Sequence, residues 1–218
     1  MTKTVIFDLD GTLMNTIEDL MDAVNFALKK FGYKERSLEE ILSFVGNGVE
    51  KLVRRSVPEN CGEEAFSEVL ACFKEYYSEH SIVKTRPYDG ICEAIENIRK
   101  KGIKTAVVTN KFQSAAQDIC GRFFGGLLDV VVGSSPERAN KPDPAPVKYA
   151  MELLGASPET TVYVGDSEVD IQTARNSKLP FICVSWGFRK KEFLKSMGAS
   201  VIADSPRELC EIIFGNNS

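Results

Sequence analysis

Two carboxylates, Asp8 and Asp10, stand one residue apart directly after the apolar run Val5–Phe7. In an extended segment the side chains at i and i+2 share a face, so this pair points the same way. Like charges so placed repel unless a cation or a shared proton lies between them. A polar strand end accounts for one acid followed by Gly11 and leaves the second unexplained, so the pair reads as part of a metal site.

Further reactive types stand after later apolar runs. Thr109-Asn110-Lys111 follows Thr105–Val108, and Asn140-Lys141-Pro142-Asp143-Pro144 comes after Val130–Val132. Gly165-Asp166 follows Val162–Val164, with Asp170 four residues on. Singly, Thr-Asn is also a helix-cap pattern and Lys-Pro-Asp-Pro a solvated turn. Together the acids, a hydroxyl, a lysine and the turn amides suit Mg²⁺ and a phosphoryl group. Mg²⁺ takes hard oxygen ligands and keeps several waters, so two carboxylates and a carbonyl suffice. A phosphoryl group in transfer needs positive charge and N–H donors around its oxygens, which Lys141 and the amides around Thr109–Asn110 can supply.

These residues need a scaffold that brings them to one edge. The short β-rich runs at Val5–Phe7, Thr105–Val108, Val130–Val132, Val162–Val164, Phe181–Val184 and Val201–Ala203 read as strands. Between the later ones lie helical patterns: Ile91, Ala94, Ile95 and Ile98 stopped by Gly102, and Val147, Ala150, Met151 and Leu154 stopped by Gly155. Ser205-Pro206-Arg207-Glu208 reads as a capping box opening a last helix. Continuous apolar strands alternating with helices predict an α/β, Rossmann-like parallel sheet with helices on both faces. In such a sheet ligands bind beyond the carboxyl ends of the strands, where the polar residues above fall. From about Thr16 to Arg86 the rhythm breaks, with amphipathic stripes such as Ile17, Leu20, Met21, Val24, Ala27, Leu28 and Phe31 and no convincing strand. The expected organisation is a core of residues 1–15 and 86–218, with an inserted all-helical cap domain over 16–85. An insert of about 70 residues is too long for a connecting loop.

Composition narrows the chemistry. A net charge of −4 gives no basic field for nucleic acid or anionic membranes. No apolar run approaches the roughly 20 residues of a membrane span, and the N-terminus carries no secretory pattern. The six cysteines form no CxxC pair, and a reduced, cytoplasmic protein is the expectation. The lone histidine, His80, offers neither a zinc pair nor an elbow-type triad.

Asp8-Leu9-Asp10-Gly11-Thr12, Thr109, Lys141-Pro142 and Gly165-Asp166-Ser167-Glu168-Val169-Asp170 resemble, in order, the four motifs of the haloacid dehalogenase-like phosphohydrolases. The resemblance spans essentially the whole chain and includes a helical cap between the first two motifs. It implies that Asp8 is the nucleophile forming an aspartyl-phosphate, and Asp10 the acid that protonates the leaving oxygen and then activates water. It implies Mg²⁺ held by Asp8, Asp166 and the Asp10 carbonyl, with Asp170 behind them positioning metal waters or Lys141. Thr109 and Lys141, with the backbone of Asn110, would bind the phosphoryl oxygens. Asn15 stands where many relatives carry an acid.

Asp10 argues against the dehalogenase branch, which lacks an acid at that position. Phe44–Leu52 resembles the cap loop of phosphoglycolate phosphatases, and "SWGFR" at 185–189 their segment after the fifth strand. Gly46, Asn47, Gly48 and Lys51 are thus candidates for meeting a small anion, against the alternative of a solvated helix face. The expected partner is a small phosphorylated metabolite, for a monomer or homodimer. A β-phosphoglucomutase-like mutase, a pyrophosphatase and a non-enzymatic phospho-acceptor switch are the competing readings.

Overall fold

The computed structural model describes residues 1–215, which fall into two compact units. One comprises Met1–Met14 and the chain from Pro87 on; the other is Asn15–Arg86.

The first unit is built on six parallel strands: β1 (Thr4–Phe7), β4 (Lys104–Phe112), β5 (Val130–Ser134), β6 (Thr161–Gly165), β7 (Phe181–Val184) and β8 (Ile202–Ala203). Their order is β5-β4-β1-β6-β7-β8. From β1 the chain builds outward to β4 and β5, then returns to place β6 on the other side. β1 therefore lies at the topological switch point, where a crevice opens beyond the strand ends. Phe7 is level with Val107 on one side and Val164 on the other, so the next residues of all three strands emerge at one edge.

Successive β1 residues point to opposite faces, yet Val5, Ile6 and Phe7 are all buried, which requires cover on both faces. On one face Ile6, Ala106, Val108, Val132 and Tyr163 pack with Val147, Ala150, Met151 and Leu154 of α7 (Ala145–Leu154) and with Ala174 of α8 (Glu168–Ser177). Helices α5 (Ile91–Lys100), α6 (Gln113–Phe124), α9 (Lys191–Ser196) and α10 (Pro206–Phe214) complete the unit. β1, β4, β5 and β6 extend beyond their apolar runs, β7 coincides with its run, and β8 starts one residue later, at Ile202. In β4 the register slips: Val108 faces Val132, but Phe112 faces Ser134. Thr109–Lys111 stand opposite Gly133 alone and bulge from the ladder, a device that re-aims side chains beside a site.

The second unit holds α1 (Ile17–Lys30), α2 (Leu38–Phe44), α3 (Val49–Ser56) and α4 (Glu63–His80). Leu20, Val24, Ala27 and Leu28 of α1, with Phe66, Val69 and Phe73 of α4, supply its buried stripes. The Asp19 carboxylate accepts the N–H groups of Val83, Lys84 and Thr85 at 2.8–3.1 Å, tying down the chain after α4. His80 ends α4, its ring stacked 4.0 Å from that of Tyr76.

Three local features depart from expectation. β2 (Met14–Asn15) and β3 (Arg86–Pro87) pair as a two-stranded sheet, too short to leave a periodic trace in sequence. Phe44–Leu52 is half helix: Gly46 (φ 110°) and Gly48 (φ 84°) turn the chain, and α3 starts at Val49, which puts Lys51 in its exposed first turns. At α10 only half of a capping box forms. Ser205 Oγ accepts the Glu208 N–H at 3.2 Å, but the Glu208 carboxylate accepts from Asp204 N–H at 2.7 Å instead.

Candidate active site

Asp8 leaves β1 at the switch point, its N–H donating to the Val164 carbonyl at 2.9 Å. Asp166 leaves β6 next door, and Asp170 sits in the first turn of α8. One carboxylate oxygen from each of Asp8, Asp166 and Asp170 lies within 4.8 Å of the others, and all three residues are buried. Lys141 enters the same cluster, with Nζ 2.8 Å from Asp8 Oδ1 and 2.8 Å from Asp170 Oδ1.

Three buried carboxylates against one ammonium leave excess negative charge, and the protonation equilibria register it. Burial, then the Asp170 charge, pushes the Asp8 carboxyl up to about 7 against the pull of Lys141. Burial, followed by Asp170 and Asp8, holds Asp166 well above the usual carboxylate range. For Lys141 burial alone would favour the neutral amine, but Asp170 and Asp8 outweigh it and keep the ammonium charged.

Each carboxylate is held differently. Asp166 Oδ1 accepts from Thr12 Oγ1 at 3.0 Å and Oδ2 from the Phe188 N–H at 2.8 Å. Asp170 Oδ1 accepts from Tyr163 Oη at 3.1 Å as well as from Lys141, and its Oδ2 accepts from Ser167 Oγ at 2.6 Å and Ser167 N–H at 3.2 Å. Ser167 Oγ accepts the Asp170 N–H in return, so Asp170 is also half of the capping box that starts α8. Asp8 Oδ1 is buried, and its close partner is the Lys141 ammonium at 2.8 Å. Three carboxylates within 4.8 Å of one another around a single ammonium leave a negative charge that a divalent cation would offset. A donor set of hard oxygens fits Mg²⁺ and not a thiolate-seeking metal.

Close backbone approach makes this packing possible. Gly11 has φ 91°, and a Cβ there would collide with the Asp166 carboxylate. Gly187 leaves room for Asp166 in the same way, and Trp186 Nε1 donates to the Thr12 carbonyl at 3.0 Å. Thus "SWGFR" at 185–189 forms a wall of the Asp166 pocket.

Beside this cluster stand the residues of the β4 bulge. Thr109 is buried, and its Oγ1 accepts the Lys111 N–H at 3.2 Å. Asn110 Oδ1 accepts the Lys141 N–H at 2.8 Å, and Asn110 Nδ2 donates to the Lys141 carbonyl at 3.1 Å. Neither residue caps a helix, since α6 starts at Gln113 without a side-chain cap. Asp10 stands apart from the three-carboxylate cluster, its Oδ1 3.0 Å from Lys111 Nζ. Gly46, Asn47, Gly48 and Lys51 belong to the helical unit, where their neighbours Arg54 and Arg55 are engaged by Glu63 and by the Phe44 carbonyl.

Sequence reasoning passed over Lys111, although it completes the quoted Thr-Asn-Lys triplet. It also missed the Ser167-x-x-Asp170 cap, whose spacing was readable. Tyr163 left no signal, being one apolar-type residue in a wholly buried strand.

The profile of the family described as haloacid dehalogenase-like hydrolase matches residues 5–184. The chain belongs to that family. This hydrolase is 34% identical over 216 residues to a phosphoglycolate phosphatase of Nitrosospira multiformis, covering 97% of this chain and 95% of the relative. It is 30% identical to that of Thiobacillus denitrificans, covering 94% and 93%. A solved structure from Lactobacillus delbrueckii subsp. bulgaricus, provisionally named a phosphoglycolate phosphatase, superposes with a TM-score of 0.94. It shares 37% identity over 98% of this chain and 99% of its own. The protein is thus a phosphatase-type enzyme of this family, phosphoglycolate phosphatase-like in its resemblance.

Proposed function

We propose that this hydrolase is a Mg²⁺-dependent phosphatase that cleaves a small phosphate monoester through an aspartyl-phosphate on Asp8. The observation that carries the reading is the buried Asp8 oxygen, facing Lys141 and two further carboxylates. Mg²⁺, held by the carboxylates of Asp8 and Asp166 and the Asp10 backbone carbonyl, would neutralise charge and orient the phosphoryl oxygens.

The remaining work falls to the chain's own groups. Asp8 attacks phosphorus in line as the ester bond breaks. Asp10 gives its proton to the departing oxygen, then takes one from the water that hydrolyses the acyl phosphate. Lys141 and Thr109, with the amide of Asn110, receive phosphoryl oxygens whose charge would otherwise be repelled by the acids. Asp170 fixes Lys141 from behind through the 2.8 Å ion pair.

The names of the curated relatives support 2-phosphoglycolate as substrate, and we assign substrate selection to Gly46, Asn47, Gly48 and Lys51. The test is phosphate release from a panel of small esters, with and without Mg²⁺. The panel includes pyrophosphate, and β-glucose 1-phosphate with its bisphosphate activator. Highest kcat/KM with 2-phosphoglycolate, abolished by chelation, is expected; faster isomerisation than hydrolysis of the sugar phosphate would replace the reading with a mutase.

A further inference from the structure

The mechanism above uses one lysine, Lys141, yet the site contains two. Lys111 is 5% exposed, and its Nζ lies 3.0 Å from Asp10 Oδ1, a contact between residues 101 positions apart. A lysine is seldom buried without a specific partner, because stripping water from an ammonium is costly. Its position follows from the β4 bulge, where the register slip between Val108 and Phe112 directs this stretch toward the site edge. The Lys111 N–H donates to Thr109 Oγ1, so Lys111 also shares a turn with the hydroxyl that faces the phosphoryl group.

We propose that Lys111 is a positioning residue for Asp10. Its ammonium grips Oδ1, fixes the rotation of the carboxyl group, and leaves Oδ2 to deliver and recover the proton. Lys141 serves the nucleophile, Lys111 serves the acid/base, and the two cations divide the site between the two steps. The proposal rests on the acid/base role assigned to Asp10 under the proposed function. It requires no contact between Lys111 and substrate. When an ester leaves as an alkoxide, Asp10 must supply the proton as the P–O bond breaks, and a misaimed carboxyl fails there. When the leaving group is a stable phenolate, the bond breaks without that proton.

The experiment compares Lys111→Met and Lys111→Arg with wild type on 2-phosphoglycolate and on p-nitrophenyl phosphate. General acid catalysis contributes about 10²- to 10⁴-fold, so a loss of roughly 10²-fold in kcat is expected for Lys111→Met on the alkyl ester. On the aryl ester the formation of phosphoenzyme, read as the burst of nitrophenolate, changes little, and KM for the alkyl ester does not rise. Lys111→Arg restores most of the alkyl-ester rate. In an Asp10→Asn background the Lys111→Met change adds nothing further, because residues acting through one another are not additive. Equal losses in phosphoenzyme formation from both esters would make Lys111 merely structural and overturn the proposal. A raised KM with unchanged kcat would make it a substrate ligand and also overturn it. If Lys111→Met does not fold by circular dichroism, Lys111→Gln takes its place under the same criteria. Should wild type hydrolyse neither ester, the proposed function itself fails, an outcome distinct from any of these.

Discussion

Asn110 grips the backbone of Lys141 from both sides, accepting its N–H at 2.8 Å and donating to its carbonyl at 3.1 Å. The side chain that follows Thr109 therefore sets where the lysine of a distant loop begins. Asn110→Ala removes both bonds and frees that loop. Because misplacing a catalytic group by an ångström costs on the order of 10²-fold, kcat should fall about 10- to 100-fold while the fold survives. Steady-state kinetics beside a thermal melt check this, and wild-type kinetics would show the clamp to be dispensable.

A second prediction concerns pH. In the metal-free protein burial raises the Asp8 carboxyl from 3.8 to about 7. Between those values the folded state holds a proton that the unfolded chain has released. The resulting stabilisation is complete below the lower value and is lost as pH rises through the upper one. Relative to Asp8→Asn, which cannot titrate there, the metal-free wild type should lose stability from about pH 4 to about pH 7. Added Mg²⁺ competes with protons on both raised carboxyls, so its affinity should rise with pH and level off once Asp8 and Asp166 are ionised. Calorimetric titration across the range tests this; an affinity independent of pH would contradict the assignment of Asp8 as a ligand.

A third prediction follows from Gly11. Its φ of 91° and the lack of space for a Cβ against Asp166 make Gly11→Ala a change beside the proposed metal ligand itself. Disturbing a group that orients a metal ligand typically costs 10- to 100-fold in affinity, and about that loss of Mg²⁺ binding is expected by calorimetry. Undiminished binding would mean that Asp166 has freedom the packing does not suggest.

Much of this was legible in the chain because long-range order left short-range marks. Strand cores could be read from their apolar runs, Asp8 and Asp166 from their places just after such runs, and Lys141 from the Asn-Lys-Pro-Asp-Pro turn farther past one. What stayed hidden depends on contacts between distant segments. The two-residue strands β2 and β3 exist only because they pair with each other. The Lys111–Asp10 ion pair needed the bulge in β4, which a periodic pattern does not encode. Tyr163 reads as one more buried strand residue until its hydroxyl is found against Asp170 and Lys141. Ser205 and Glu208 have capping-box spacing, yet Glu208 bonds one residue upstream, a choice between equivalent donors that local sequence does not make.

The proposed covalent step is open to direct observation. Asp10→Asn removes the group proposed to activate water, so phosphoryl transfer from an activated ester should load the enzyme faster than it clears. Intact-mass measurement after mixing with p-nitrophenyl phosphate and Mg²⁺ should then show one added phosphoryl group per chain, mapped by peptide analysis to Asp8. The adduct should be absent when Asp8→Asn is combined with it. A phosphoryl group found on another residue, or turnover by purified Asp8→Asn at the wild-type rate, would contradict nucleophilic attack by Asp8.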